Sequence, residues 1–221
     1  MGAIGLRGAW MAAVLGAVCC ETLAQGGEGD QPRCVGTPAP AVWSVRPSRE
    51  PGAWEFTVRC SGFVLECAEG GLVPRIAGQA APPGRGLPDV PAVAKLLPGQ
   101  AGRAARVTVE PSAWELIADV TVPPVERVDF ESTITGSAQR VVRRVPDATV
   151  FGRDEFWPVE PAAVQAAMMG TQAFVRVECR LVQYNPLRKV LRYCTEMRGR
   201  VDFGNDHSES EAPPAHGGPA P

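Results

Sequence analysis

The chain has 221 residues and a formal net charge of −2 at pH 7. Such a charge gives no electrostatic reason to expect a nucleic acid or an anionic lipid surface as the partner. Its 24 glycines and 22 prolines are below the level typical of disordered chains and suit short strands joined by many turns.

The chain opens with the pattern of a secretory signal peptide, residues 1–24. Arg7 is followed by the apolar run Gly8–Cys20, which is shorter than a membrane-spanning helix requires. Cys19 and Cys20 leave a lipoprotein as the alternative to a soluble product, although the valine before them suits lipidation poorly. We therefore expect export to the periplasm or the extracellular space, with no transmembrane segment in the mature protein.

Residues 25–40 are polar and rich in glycine and proline, which indicates a flexible leader. Short stretches that alternate apolar and polar residues then predict a series of strands. These are Trp54–Cys60, Gly62–Cys67, Leu72–Ile76, Val90–Leu97, Ala105–Glu110 and Trp114–Val120. The long connection Pro123–Asp154 contains a β-like piece, Arg140–Val145, without an obvious pairing partner. Pro161–Met169 is predicted to be a helical turn or two, ended by Gly170.

The strongest alternation lies in Ala173–Phe203, which the pattern predicts to be a β-hairpin. Its first arm is Phe174–Leu181, its turn is Tyr184–Lys189, and its second arm continues to Val201. Two amphipathic strands cannot bury their apolar face alone, so a second sheet must cover it. The sequence therefore predicts an all-β fold, an antiparallel β-sandwich over residues 41–203, followed by a disordered tail at 204–221.

Five cysteines remain after signal-peptide cleavage: Cys34, Cys60, Cys67, Cys179 and Cys194. An odd number leaves at least one thiol unpaired or bonded to a partner. Cys179 and Cys194 flank the main turn, but the apolar pattern places them on opposite faces, which argues against a disulfide. Buried, small hydrophobic side chains are the favoured interpretation.

Nothing in the folded region has the pattern of a catalytic or metal site. A nucleophile needs a nearby base, and the two histidines, His207 and His216, both fall in the predicted tail. Asp202, Asp206 and His207 could approach an ion, but a solvated tail is the simpler interpretation. We predict a non-catalytic protein with no cofactor and no metal.

One segment stands out as a candidate for binding, the basic and apolar stretch Arg140–Pro146. An arginine within an extended segment resembles a peptide ligand, because its planar fork fits a deep acidic pocket. A solvent-facing loop whose arginines keep the chain soluble is the alternative, and composition alone favours it.

Several short motifs resemble the propeptide domain of gingipain-type cysteine peptidases. They are Gly86-Leu87-Pro88 with Pro91, Ala105–Pro111, Phe156-Trp157-Pro158, and Gln183-Tyr184-Asn185-Pro186 followed by Leu191-Arg192-Tyr193, and the resemblance covers about residues 86–203. It implies a jelly-roll-like β-sandwich that precedes a catalytic domain, assists its folding and keeps it latent. It further implies that a loop covers the active-site cleft and inserts a basic side chain into the specificity pocket.

By its order in the chain, the implied inhibitory loop falls between Pro124 and Phe151. Its candidate pocket-filling residues are Arg140, Arg143 and Arg144, with Arg140 the first choice. No catalytic domain follows in this chain, and three interpretations stay open. The chain is an inhibitor or folding chaperone of a separate secreted cysteine peptidase, a truncated peptidase precursor, or a non-catalytic envelope or extracellular binding module.

Overall fold

The computed structural model describes residues 31–50, 52–79, 84–132 and 138–205. Within them the chain forms fifteen β-strands and one short α-helix, α1 (Ala148–Phe151). The strands before the helix are β1 (Arg33–Gly36), β2 (Val42–Pro47), β3 (Ala53–Arg59), β4 (Gly62–Ala68), β5 (Gly71–Arg75), β6 (Val93–Pro98), β7 (Arg103–Pro111), β8 (Glu115–Ile117), β9 (Arg127–Ser132) and β10 (Ala138–Arg143). The strands after it are β11 (Ala162–Met169), β12 (Gln172–Cys179), β13 (Val182–Asn185), β14 (Val190–Tyr193) and β15 (Glu196–Asn205).

The strands pair antiparallel throughout and form four sheets and one separate hairpin. The largest sheet has the order β2-β3-β15-β7, and three sheets of three strands have the orders β1-β4-β5, β11-β12-β6 and β13-β14-β8. Strands β9 and β10 pair only with each other. The all-β, antiparallel fold predicted from the alternating sequence is confirmed.

One hydrophobic core joins the four larger sheets. Each contributes side chains with almost no exposed surface, among them Leu65 from β4, Val58 from β3, Val177 from β12 and Leu191 from β14. Buried and exposed side chains alternate along these strands, and this periodicity is what predicted the strands from the sequence. Burial of this apolar surface provides the main stabilisation of the fold.

The predicted hairpin over Ala173–Phe203 is wrong in its pairing. The true hairpin is the shorter unit β13–β14, in which Asn185 pairs with Val190. Strand β12 pairs instead with β11 and β6, and β15 pairs with β3 and β7. The chain leaves one sheet for another at Arg180-Leu181 and again at Cys194-Thr195, and alternation within a strand does not reveal such crossings.

Two further predictions of local structure are also wrong. Residues 162–169 form β11 rather than a helix, because all eight pair with β12 across a two-residue turn at Gly170-Thr171. Tertiary pairing overrides the helical propensity of the alanines and methionines there. Residues 33–36, predicted to belong to the flexible leader, form β1 and pair with β4. The predicted signal peptide and most of the predicted tail lie outside the described residues.

The cysteine predictions are confirmed only in part. Cys60, Cys179 and Cys194 are buried and free, as expected of small hydrophobic side chains, whereas Cys34 and Cys67 are exposed. The placement of Cys194 on the outer face is wrong. It follows the last residue of β14, and its N–H donates to the carbonyl of Leu181 (3.0 Å) as the chain turns inward.

Candidate functional site

The candidate arginines lie on the β9–β10 hairpin. Arg140 pairs with Phe130 and Arg143 pairs with Arg127 across the two strands, while Arg144 follows the end of β10. The tip of the hairpin, residues 133–137, lies outside the described residues, as do the side chains of residues 130–139. The segment that seemed to have no pairing partner in the sequence therefore has one in residues 127–132.

Arg144 is held at the base of the hairpin. Its Nη1 donates to the carbonyl of Pro124 (3.2 Å), and its Nη2 pairs with the carboxylate of Glu126. Only 18% of its side chain is exposed. These contacts join the two ends of the hairpin, so Arg144 is an anchor of the hairpin rather than a side chain free to enter a partner.

Arg140 has a different environment from Arg144. It is exposed, and within the described part of the chain it makes no hydrogen bond or ion pair. Arg143 is also exposed, but it interacts with a neighbouring group. Strand alternation places Arg140 and Val142 on one face of the hairpin and Val141 and Arg143 on the other.

The first of the resemblance motifs, Gly86-Leu87-Pro88, clamps the base of the hairpin. Val125, just before β9, donates its N–H to the carbonyl of Leu87 (2.8 Å), and Asp147, after β10, donates to the carbonyl of Gly86 (2.9 Å). Gly86 has a φ of +78°, and a Cβ there would lie 2.8 Å from the carbonyl oxygen of Val145. Only glycine suits this position without strain.

A groove of about 410 Å³ lies beside the hairpin base. The residues after and within β10 form one wall, and the segment before β9 forms the other. The lining includes Val142, Arg144, Pro146, Phe151, Thr121 and Pro123. Val142 is 44% exposed there, so the hairpin presents apolar as well as basic surface.

The resemblance motifs at residues 156–158 and 183–193 meet at a second place in the fold. Trp157 and Tyr184 exchange backbone hydrogen bonds of 2.7 and 2.8 Å. The Gln183 side chain is fully buried and its Nε2 donates to the carbonyl of Pro158 (2.5 Å). Arg192 in turn donates from Nε to Oε1 of Gln183 (2.6 Å). The motifs therefore hold the segment 156–158 against the β13–β14 hairpin.

The two histidines, His207 and His216, lie outside the described residues. Within the described ranges, no three side chains of histidine, cysteine, aspartate or glutamate gather as metal ligands do. Asp202 accepts a hydrogen bond from Nε of Arg200 (2.6 Å). Burial raises the pKa of both Cys179 and Cys194 to about 12, which keeps these thiols neutral and poorly nucleophilic.

Sequence reasoning missed the anchoring role of Arg144 and the pairing of β9 with β10. A signal for the pairing was present, since Arg127-Val128-Asp129-Phe130-Glu131 alternates charged and apolar residues and Thr135-Gly136-Ser137 suits a turn. No comparable local signal distinguishes Arg144 from Arg140 and Arg143. The distinction depends on contacts with Pro124 and Glu126, which lie on the other side of the hairpin.

In the described residues, no helix has the length and apolar character needed to cross a membrane. No known family profile matches the sequence, and no curated protein matches it in sequence.

The fold does have relatives among solved structures. One is a complex of the pro- and mature domains of RgpB from Porphyromonas gingivalis, with 22% identity and a TM-score of 0.59, covering 71% of this chain and 83% of that chain. Another, which concerns the zymogenic latency of gingipain K from the same organism, has 17% identity and a TM-score of 0.61, covering 79% of this chain and all of that one. The class that the fold defines is thus an antiparallel β-sandwich of the kind found in these gingipain structures. In particular, it is the fold of the gingipain propeptides, as the sequence motifs implied.

Proposed function

We propose that this chain is a non-catalytic, propeptide-like inhibitor and folding chaperone of a secreted gingipain-type cysteine peptidase. The β9–β10 hairpin covers the active-site cleft of the peptidase and places an arginine in its specificity pocket. The protein acts after export, in the periplasm or the extracellular space, and needs no cofactor. The observation that carries the proposal is a hairpin with exposed arginines on a fold shared with gingipain propeptides.

The hairpin suits the role of a substrate mimic. Its backbone is already extended, so less conformational entropy is lost on binding than a flexible loop would lose. A two-stranded hairpin is marginally stable alone, but here the clamp at Gly86-Leu87 and the Arg144–Glu126 pair close its base. A rigid hairpin also resists cleavage, because a peptidase must draw its substrate into a single extended strand.

Among the three candidates, Arg140 is the one that we assign to the pocket. It is exposed, and the described contacts do not commit it to a carboxylate of its own chain. Arg144 is committed to Glu126, and its release would open the hairpin base. Arg143 remains a second candidate, because it is exposed on the opposite face of the hairpin.

The proposal is tested by the inhibition constant against mature RgpB and mature gingipain K as probe peptidases. Each charge-assisted hydrogen bond lost in the pocket costs about 1.5–3 kcal/mol, so Arg140→Ala should weaken inhibition by about 10-fold to 100-fold. Arg103→Ala, at an exposed arginine in β7 outside the hairpin, is the matched control and should not change it. If the triple variant at Arg140, Arg143 and Arg144 inhibits as well as the wild type, the mechanism is wrong.

The chaperone function has a separate readout. A denatured peptidase domain should regain more activity when it refolds in the presence of the chain and is then freed from it. A variant that lacks the exposed arginine should still assist refolding, since the β-sandwich provides the folding template and the hairpin provides the latency. Equal recovery with and without the wild-type chain contradicts the chaperone function.

A further inference from the structure

Arg192 is held between two aromatic rings. Its Cζ lies 4.6 Å from the ring centroid of Trp114 and 4.2 Å from that of Phe156. Its Nε is already used in the hydrogen bond to buried Gln183. We call Trp114, Phe156, Gln183 and Arg192 the Arg192 site. These contacts fix the position and the plane of the guanidinium before any partner arrives.

What the Arg192 site lacks is a carboxylate. The other partly buried arginines of the described residues each pair with one, and these pairs are Arg75–Asp89, Arg144–Glu126, Arg176–Glu178, Arg180–Glu178 and Arg200–Asp202. Arg192 has no acidic partner among the described residues. Burial accordingly lowers its pKa, since no negative charge compensates for the lost water.

An uncompensated charge in a partly buried position is costly, and folded proteins normally pair it. The cation–π contacts offset part of this cost. The Nη groups make no hydrogen bond to any described residue, so they remain available as paired donors. A planar pair of N–H donors of this kind matches the two oxygens of a carboxylate.

Two apolar side chains border the Arg192 site. Leu116 is the cross-strand neighbour of Arg192 in the pairing of β8 with β14, and it is 66% exposed. Trp114, at the edge of the site, is only partly buried. Tryptophan and arginine together, with apolar neighbours that exclude water, are typical of the energetic centre of protein–protein interfaces.

We propose that the Arg192 site is a docking site for an aspartate or glutamate side chain on the surface of the partner peptidase. The carboxylate binds the Nη groups of Arg192, and Leu116 and Trp114 pack against apolar side chains around it. This inference rests on the proposed function. It adds a second contact, one that holds the partner by a surface carboxylate and does not involve the specificity pocket.

The test measures the dissociation constants of full-length variants for mature RgpB and mature gingipain K, alongside the inhibition constants. Removing one partner of a desolvated charge pair is costly, so Arg192→Gln should weaken binding by about tenfold or more. Arg192→Lys keeps the charge without the planar fork and should be intermediate. Arg106→Gln, at an exposed arginine of β7, is the matched control and should bind as the wild type does.

Two measurements separate a binding role from a structural one. Leu116→Ser changes an exposed side chain, so it should leave the melting temperature unchanged and still weaken binding several-fold, by about threefold to tenfold. Added salt should weaken binding of the wild type more than that of Arg192→Gln, because the variant has lost the screened charge pair.

The outcomes distinguish the two proposals. If Arg192→Gln and Leu116→Ser bind as tightly as the wild type, the docking site is wrong and the inhibitory hairpin stands. If both weaken binding while the hairpin arginines prove dispensable for inhibition, the docking site stands and the inhibitory mechanism is wrong. If the wild type binds neither peptidase, both are overturned.

Discussion

Arg144 and Glu126 form an ion pair one residue beyond the two ends of the β9–β10 hairpin. Glu126 directly precedes β9, and Arg144 directly follows β10. The Arg144 guanidinium also donates to the carbonyl of Pro124. It therefore binds both a side chain and a backbone group of the segment that leads into β9. The pair therefore fixes the distance between the two strands where the hairpin leaves the body of the protein.

Arg144→Ala should loosen the hairpin without unfolding the protein. The Glu126 side chain is 43% exposed, so loss of the pair should cost global stability only about 0.2–1 kcal/mol. The hairpin itself should become more mobile, seen as faster amide hydrogen exchange and faster limited proteolysis between residues 127 and 143. Inhibition should weaken with it, since binding must then order the hairpin again.

Arg153→Ala is the matched control for that experiment. Arg153 pairs with Glu155 at 4.0 Å and both side chains are largely exposed, so its loss should leave the exchange of the hairpin unchanged. An Arg144→Ala variant whose hairpin exchanges at the wild-type rate contradicts the anchoring role.

The sequence allowed much of the strand content to be predicted because many strands alternate apolar and polar residues, although β1 and β11 do not. Trp54–Cys60 and Ala105–Glu110 alternate openly, and both are strands in the structure. Which strands pair was beyond such reasoning, since β15 joins β3 and β7 from distant parts of the chain. Alternation reveals the face of a strand that is buried, but not the neighbour that completes its hydrogen bonds.

The candidate site was predictable to a similar extent. Residue type and chain order identified Arg140, Arg143 and Arg144 as a group, but only the contacts of Arg144 with Pro124 and Glu126 separate this anchor from the exposed side chains. The resemblance motif included Arg192, but the sequence did not show what this residue contacts. The aromatic rings that enclose it come from residues 114 and 156, which are far from it in the sequence.

Gly199→Ala should destabilise the central sheet. A Cβ at this position of β15 would lie 2.2 Å from Cζ of Phe56, whose ring is 3% exposed and part of the core. The ring must shift within close-packed surroundings, which typically costs about 1–3 kcal/mol. Chemical denaturation should show this as a lower midpoint, with little change in the slope that reports exposed surface.

Two variants control the Gly199 prediction. Gly204→Ala lies in the same strand, and its Cβ would meet no atom within 4 Å, so it should be close to neutral. Combining Gly199→Ala with Phe56→Leu should cost less than the sum of the two single changes, because the shorter side chain relieves the clash. Strict additivity would show that the ring is not the obstacle.

Asp89→Asn should be among the more damaging single changes to a polar residue. Asp89 is 5% exposed and accepts two hydrogen bonds from the Arg75 guanidinium, at 2.7 and 2.9 Å. Breaking a buried pair typically costs about 3–5 kcal/mol, although the Arg75 guanidinium keeps a second and longer ion pair with Glu66 (3.8 Å). Because 32% of the Arg75 side chain is exposed, we expect the lower end of that range, measured by thermal and chemical denaturation.

The exposed pair Arg46–Glu55 provides the comparison for Asp89. With side-chain exposures of 79% and 33%, this pair is largely solvated, so the change Glu55→Gln should destabilise the protein much less than Asp89→Asn does. Should the two amide substitutions prove equally mild, the Arg75–Asp89 pair would contribute no more than a surface contact.

The cysteines should divide into two groups in a labelling experiment with iodoacetamide at about pH 8. Cys34 and Cys67 are exposed and should react quickly, whereas Cys60, Cys179 and Cys194 are buried. Burial raises the pKa of all three buried thiols, to about 12 for Cys179 and Cys194. The neutral thiol is then the dominant form, and only the thiolate reacts.

Mass spectrometry of the labelled peptides checks this division. Denaturant should make all five of these cysteines reactive, which controls for peptides that are detected poorly. Fast native labelling at position 179 or 194 would mean that the β12 and β14 ends of the core open to solvent.

Asp154 should make stability depend on pH through the loop before β11. Hydrogen bonds from Arg188 (Nη2 to Oδ2, 2.8 Å) and from Asn185 (Nδ2 to Oδ1, 2.9 Å) hold the pKa of Asp154 below its ordinary value of 3.8. A carboxyl group whose pKa is lower in the folded protein than in the unfolded chain stabilises the folded state. This contribution is fully present at pH values above the ordinary pKa. That contribution is lost as the pH falls through the lower folded pKa.

Asp154→Asn should therefore lower the melting temperature at about pH 6, and the difference from the wild type should shrink as the pH falls below the ordinary value of 3.8 toward the lower folded pKa. The difference shrinks at low pH because Asp154 takes up its proton at a higher pH in the unfolded chain than in the folded protein. Glu160→Gln, which removes an exposed carboxylate without a described ion pair, should show no such convergence. A difference for Asp154→Asn that stays constant with pH would mean that Arg188 and Asn185 hold the loop without using the charge of the carboxylate.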